Sequence, residues 1–183
     1  MPTPSHSFSP VLPPLVAGEG PRSPNPNATS TPPVIRFDQD TPGYGGLSHV
    51  SPHRVFYDGK LYPTAAHLFE AHRFLGRRND LAKRVRKTQT LPELDALLRN
   101  ISEHTRHDWE EILFSKMEDV LYRKLAQHPD LRELLLDTGI AEIVYADASD
   151  PFWGTGEHEE GENELGKTLM RVRERLRYEA AES

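Results

Sequence analysis

The sequence predicts a helix-rich α+β domain with few strands, and three observations carry that expectation. Between His107 and His128, the residues Trp109, Ile112, Leu113, Met117, Val120, Leu121 and Leu125 recur at helical spacing as one apolar stripe. The β-prone stretch HRVFYDGKLYP is broken by Asp58-Gly59, a dipeptide suited to a tight primed turn. Toward the C-terminus a strand-like run, AEIVYADA, is separated from an amphipathic one, ELGKTLMRVRERLRYEAA, by a loop dense in glycine and carboxylates.

Taken in order, residues 1–33 are rich in Pro and Ser and have no periodicity. Such a segment buries too little apolar surface to offset its ordering entropy and is expected to be a disordered tail, inert or available for protein contacts. The ordered domain is expected over residues 34–180. Order begins at the β-prone Val34–Phe37 and continues through the hairpin. Thr64 can cap a helix over AAHLFEAHRFLG with Gly76 as its stop. Two short helices are expected from near Asn79 and near Thr90, followed by the long helix, which ends before Pro129. DLRELLLDTG is a further helix with Gly139 past its end, and Leu165, Leu169, Val172 and Leu176 give the last helix its buried face.

Composition narrows the function. With 183 residues and 36% hydrophobic content, the chain suits one domain plus a tail. A net charge of −6 supplies no global basic field for nucleic acid or anionic membrane. Without cysteine there is no disulfide, thiolate nucleophile or zinc–cysteine site. No apolar run is long enough to span a bilayer, and no secretory signal is evident. The protein is therefore expected in the cytoplasm, with the nucleus as an alternative, and the sequons at Asn27 and Asn100 read as chance matches.

The loop SDPFWGTGEHEEGENELG, Ser149–Gly166, raises the functional question. Gly154, Thr155 and Gly156 break the alternation of oxygen ligands that a calcium loop requires, so no metal is expected. Gly-x-Gly can aim backbone N–H groups at an anion, but no Gly-Lys-Ser/Thr follows and the glutamates repel phosphate. A solvated connection explains Glu157 to Glu164. It leaves Phe152 and Trp153 unexplained, and these suit either stacking on a planar ligand or anchoring the loop in the core.

Three segments together, DGKLYPT..HLFEAHRF, DWEEILFSKMEDVLYRKLAQHPDLRELLLDTG and DPFWGTG....G.NELGKTLMRVR, resemble the NADAR (YbiA-like) family over Val34 to about Arg177. The resemblance implies a YbiA-like fold with about six helices and a few strands. It also implies N-glycosidase activity, cleavage of the bond between ribose C1 and a base-like nitrogen without cofactor or metal. Substrates of that class include phosphorylated riboflavin-pathway ribosylamines and ADP-ribose on guanine. Carried over by position, Trp109 and Asp150 match functional family residues. Phe152, Trp153, Gly154, Gly156 and Asn163 match the signature of the final loop, His67 the histidine after the family glutamate, and Ser48 an early serine. Beside these stand plainer readings: Trp109 as core, Asp150 as a loop cap, His67 as a satisfied core histidine.

The pattern also breaks. Ala66 occupies the glutamate position and Arg73 that of a lysine. Tyr145 stands where glutamate is common, and His49 replaces an asparagine beside Ser48. Arginine does not deprotonate to serve as an amine nucleophile. Glu160 and Glu162 replace basic residues in the loop, removing charge that would favour phosphate there. Glu70 is a nearby carboxylate. Two functions remain open on the sequence: an N-glycosidase, and an inactive module that binds a nucleotide-like or ADP-ribosylated ligand.

Overall fold

The computed structural model describes residues 31–182. Expectations for residues 1–30 lie outside the described residues. Four strands and six helices follow, at the places the sequence predicts, with differences at their ends. Strand β1 (Val34–Phe37) pairs in parallel with β4 (Glu142–Tyr145), in register from Val34 with Glu142 to Phe37 with Tyr145. Strands β2 (Val55–Tyr57) and β3 (Lys60–Tyr62) form the hairpin, and Asp58 and Gly59 both take the positive φ that a primed turn requires, 47° and 69°.

Helix α1 (Ala65–Ala71) starts as predicted, with the Thr64 hydroxyl accepting from the His67 N–H. It stops five residues short of Gly76. Beyond Ala71 the chain tightens into successive turns, Phe74 N–H to Ala71 C=O and Arg77 N–H to Phe74 C=O. The Arg73 carbonyl is taken by the Arg106 N–H, 3.1 Å, a donor outside the helix. That contact anchors the end of α1 to the segment leading into α4.

Helices α2 (Asn79–Lys87) and α3 (Leu91–Ile101) come next. Thr90 caps α3 through the Glu93 N–H, while Glu93 reaches back to the Gln89 N–H, 2.9 Å. Helix α4 (Trp109–Gln127) buries Trp109, Met117, Val120, Leu121, Lys124 and Leu125. Ile112 and Leu113, also predicted for the stripe, are only partly buried. Pro129 both ends α4 and opens α5 (Pro129–Asp137), where its missing N–H costs no helical bond.

Helix α6 (Glu164–Glu182) packs on β4 and α4, burying Leu165, Leu169, Val172 and Leu176. Each such side chain contributes about 1.5–3 kcal/mol of burial. Arg173, 4% exposed, fastens α6 to the turn before β4, donating to the Thr138 hydroxyl and the Ala141 carbonyl, both at 2.8 Å. Among the described residues no helix is long and apolar enough to cross a membrane.

Candidate active site

The start of α1, the N-terminus of α4 and the loop after β4 meet through aromatic rings. Trp109, the first residue of α4 and 7% exposed, packs against Phe69 of α1 with ring centroids 5.0 Å apart. Phe69 meets Trp153 edge to face at 5.4 Å. Trp153 in turn lies 6.3 Å from the His49 ring, which approaches Tyr145 at 6.1 Å. The His49 carbonyl accepts the Ala66 N–H at 2.9 Å. Trp109, Trp153 and the first turn of α1 are thus joined by an unbroken line of contacts, and the position of Ala66 adjoins it.

The charges here come from α1 and the turn that follows it. Arg73 holds its guanidinium over the Trp109 ring, 5.1 Å from the centroid. Its Nε lies 2.5 Å from Glu70 Oε2. Neither atom has a partner at hydrogen-bonding angles, so the contact is an ion pair rather than an aligned hydrogen bond. The Glu70 side chain is 16% exposed. Burial raises its pKa above the ordinary carboxylate range, and Arg73 opposes that shift without reversing it. Ala66 and Glu70 are four residues apart and share a helix face.

The loop is built by backbone fit. Asp150 Oδ1 accepts the N–H groups of Phe152 and Trp153, at 2.9 and 2.8 Å, and so sets the aromatic pair. This is the capping arrangement that the plainer reading anticipated, and it also positions the carboxylate next to Trp153. Gly154 has no room for a side chain: a Cβ there would lie 2.7 Å from the Asp147 carbonyl oxygen and 2.9 Å from that of Asp150. Gly156, at φ +67°, donates to the Asp147 carbonyl. Asn163, also at positive φ, accepts the Tyr145 N–H and donates to the Ile143 carbonyl, each at 2.9 Å. It ties the far end of the loop to β4. Phe152 lies at the rim, 38% exposed, beside Phe114.

On the opposite wall, the fully buried Ser48 donates to the Tyr145 hydroxyl at 3.2 Å. Burial pushes Tyr145 up to about 12 and, with the Lys124 charge, pushes His49 down to about 4, while Asp147 pulls His49 the other way. His49 is therefore neutral at neutral pH, and its Nδ1 is buried without a hydrogen-bond partner. Beside this wall opens a cleft of about 450 Å³ lined by Val50, Leu91, Tyr145 and Asp147, among others.

His67 stands apart from the rings. It is 1% exposed and bonds Thr64 through Nδ1 at 2.8 Å, beneath α1.

Sequence reasoning passed over Lys124. It is fully buried, and its ammonium donates to the carbonyls of Gly46 and Ser48 and to the Ser51 hydroxyl at 2.5–2.6 Å. Burial lowers its pKa to about 7, and these three acceptors work against that shift by stabilising the charged form. Lys124 fixes the backbone that carries Ser48 and His49. The available signal was a lysine four residues from Val120 and three from Leu121, inside an apolar stripe. Phe69, three residues after Ala66, was likewise absent from the sequence-based set. Among the described residues no three His, Asp or Glu side chains converge as a metal-binding group.

The fold and this ring-lined site define a NADAR protein: the NADAR domain matches residues 36–177, and the chain belongs to that family. Its relatives include the N-glycosidase YbiA of Escherichia coli, 34% identical over 146 residues, which cover 80% of this chain and 90% of that protein. The N-glycosidase Npun_R5314 of Nostoc punctiforme is 35% identical over 135 residues, covering 73% of this chain and 86% of the relative. A riboflavin biosynthesis protein of Vibrio vulnificus, VVA0006, is 32% identical over 80% of this chain but only 39% of its own length. The NMR structure of E. coli YbiA superposes with a TM-score of 0.70 at 32% identity, over 82% of this chain and 89% of that one.

Proposed function

We propose that the protein is an N-glycosidase that hydrolyses a ribose C1–N bond, with Glu70 supplying the carboxylate that position 66 lacks. The observation that carries this reading is the chain of contacts Glu70–Arg73–Trp109: a half-buried carboxylate of raised pKa, on the face of α1 shared with Ala66, beside an aromatic wall. The substrate class is a ribosylamine of the riboflavin pathway or ADP-ribosylated guanine, as the names of the relatives and the family resemblance suggest.

In this reading Trp109, Phe69 and Trp153 hold the base and ribose. The C1–N bond breaks with its electron pair passing to nitrogen, positive charge develops at C1, and water attacks that carbon. Ionised Glu70 takes the proton from water and later returns it to solvent. The leaving nitrogen receives a proton from solvent. Neutral His49 and the Ser48–Tyr145 pair line the wall without adding charge. A carboxyl whose pKa is lifted toward working pH suits this proton transfer.

Arg73 favours a second reading. Its guanidinium covers Trp109 and engages Glu70, so a protein that only binds a nucleotide-like ligand is the alternative. Incubating the purified protein with ADP-ribosyl-guanosine and with a phosphorylated riboflavin-pathway ribosylamine separates the two. Release of free base supports hydrolysis. Saturable binding without release supports the binding module.

A further inference from the structure

A second cleft, of about 790 Å³, opens between the β2–β3 hairpin, the turns after α1, α2 and α4. Lys60, Lys83, Arg86, Arg106 and Lys116 line it, against the single carboxylate of Asp58. Five cations less one anion leave a formal charge of +4, in a chain whose net charge is −6. Three of the cations have carboxylate neighbours: Lys60 with Asp58 at 2.9 Å, Arg106 with Asp108 at 2.6 Å, and Lys116 with Asp119 at 3.9 Å. No ion pair engages Lys83 or Arg86 among the described residues. Arg86 Nε is buried and has no hydrogen-bond partner. A buried donor left in that state is costly unless something outside the chain satisfies it.

We infer that this cleft binds a phosphate-bearing small molecule, at a site distinct from the aromatic cleft. The volume falls within the usual range for small-ligand pockets. Concentrated positive charge, with guanidinium and ammonium donors arriving from several directions, suits a multiply charged oxyanion better than a lone carboxylate. The cations are gathered in a concavity while the chain as a whole is acidic, which disfavours an extended nucleic-acid track.

Asn79, Lys83 and Arg86 recur along α2 so that all three face the cleft, and Tyr62 and His72 line it from the hairpin and the residue that closes α1. His72 records the field there. Burial lowers its pKa to about 4, with Lys116, Arg123 and Arg106 adding to the shift and Asp119 opposing it. The sequence reading found the glycine-rich loop stripped of basic residues. The charge suited to phosphate lies instead in this cleft.

The test is calorimetric titration of the full chain with inorganic pyrophosphate, ADP and adenosine. Pyrophosphate and ADP are expected to bind with one-to-one stoichiometry and to compete, with adenosine silent. Each of Lys83→Gln and Arg86→Gln should weaken both by about tenfold or more, the worth of a charge-assisted hydrogen bond. Lys83 is exposed, so its variant tests the site without threatening the fold. Glu70→Gln should leave these affinities unchanged. No saturable binding of either phosphate compound would overturn the inference. So would unaltered affinity in both cleft variants, or tighter binding on Glu70→Gln, which removes a negative charge and frees Arg73 and would put the anion in the aromatic cleft.

Discussion

At the aromatic cleft, Glu70 and Arg73 neutralise each other against Trp109; in the basic cleft, Lys83 and Arg86 share the lining with Tyr62 and His72 and have no carboxylate paired to them among the described residues. At the aromatic cleft, burial raises the carboxyl's pKa while the Arg73 charge opposes the shift. Where positive charge accumulates without a partner, the protein leaves the balance to a ligand.

The largest change in stability is expected where the aromatic side depends on a buried cation. Lys124→Met removes the donor shared by the Gly46 and Ser48 carbonyls and the Ser51 hydroxyl. At about 1–3 kcal/mol for each unsatisfied group, partly offset by the relieved burial of the ammonium, a loss of about 2–4 kcal/mol should appear in denaturant unfolding. An unchanged midpoint would show that the loop carrying Ser48 and His49 holds itself.

Acid should then act on both sides at once. His49 and His72 are each lowered from 6.5 to about 4 by burial. The unfolded chain takes up protons as pH falls through about 6.5, whereas the folded chain does so only near pH 4. Stability from these groups is thus complete above pH 6.5 and declines as pH falls toward 4. The decline is up to about 3 kcal/mol for His72 and less for the partly exposed His49. Melting temperature measured against pH should show this slope, and His72→Gln should flatten it. A variant that keeps the full slope would remove His72 from the account.

Gly154→Ala sharpens the aromatic side alone. Its methyl group would meet two backbone carbonyls, so the loop must shift, at about 1–3 kcal/mol, and displace Trp153. Hydrolysis should fall while pyrophosphate binding in the basic cleft stays intact. The smallest effect is expected from deleting residues 1–33, which offer no periodic apolar face: the melting temperature should not move measurably. A clear drop would show that the segment supports the domain.

Local signals made most elements legible. Asp58-Gly59 and the stripe through Met117 and Leu121 dictate turn and helix through neighbours a few residues apart. The end of α1 was not legible in this way, since the Arg73 carbonyl is claimed by Arg106, far along the chain. The parallel pairing of β1 with β4 joins segments separated by two strands and five α-helices, beyond any local pattern. At the site, Trp109 and Trp153 stood out as large rings in unusual settings. Lys124 did not, because a lysine in an apolar stripe reads as solvated until the carbonyls around it are seen. The basic cleft draws its cations from the hairpin, α2, α4 and the segment before α4, so no stretch of sequence announces it.

The proposed hydrolysis requires a working carboxylate one helical turn from position 66, at Glu70. Turnover of ADP-ribosyl-guanosine and of the ribosylamine by wild type, Glu70→Gln, and Glu70→Gln combined with Ala66→Glu tests it most directly. A positioned general base is worth about 10²–10⁴-fold. The account predicts a loss of that order in kcat for Glu70→Gln, with little change in KM, and partial recovery when Ala66→Glu is added. Recovery should be incomplete, because Ala66 is only 6% exposed and the larger side chain must displace neighbours. Wild-type turnover that survives Glu70→Gln undiminished would contradict the claim and return the chemistry to Asp150 or another group.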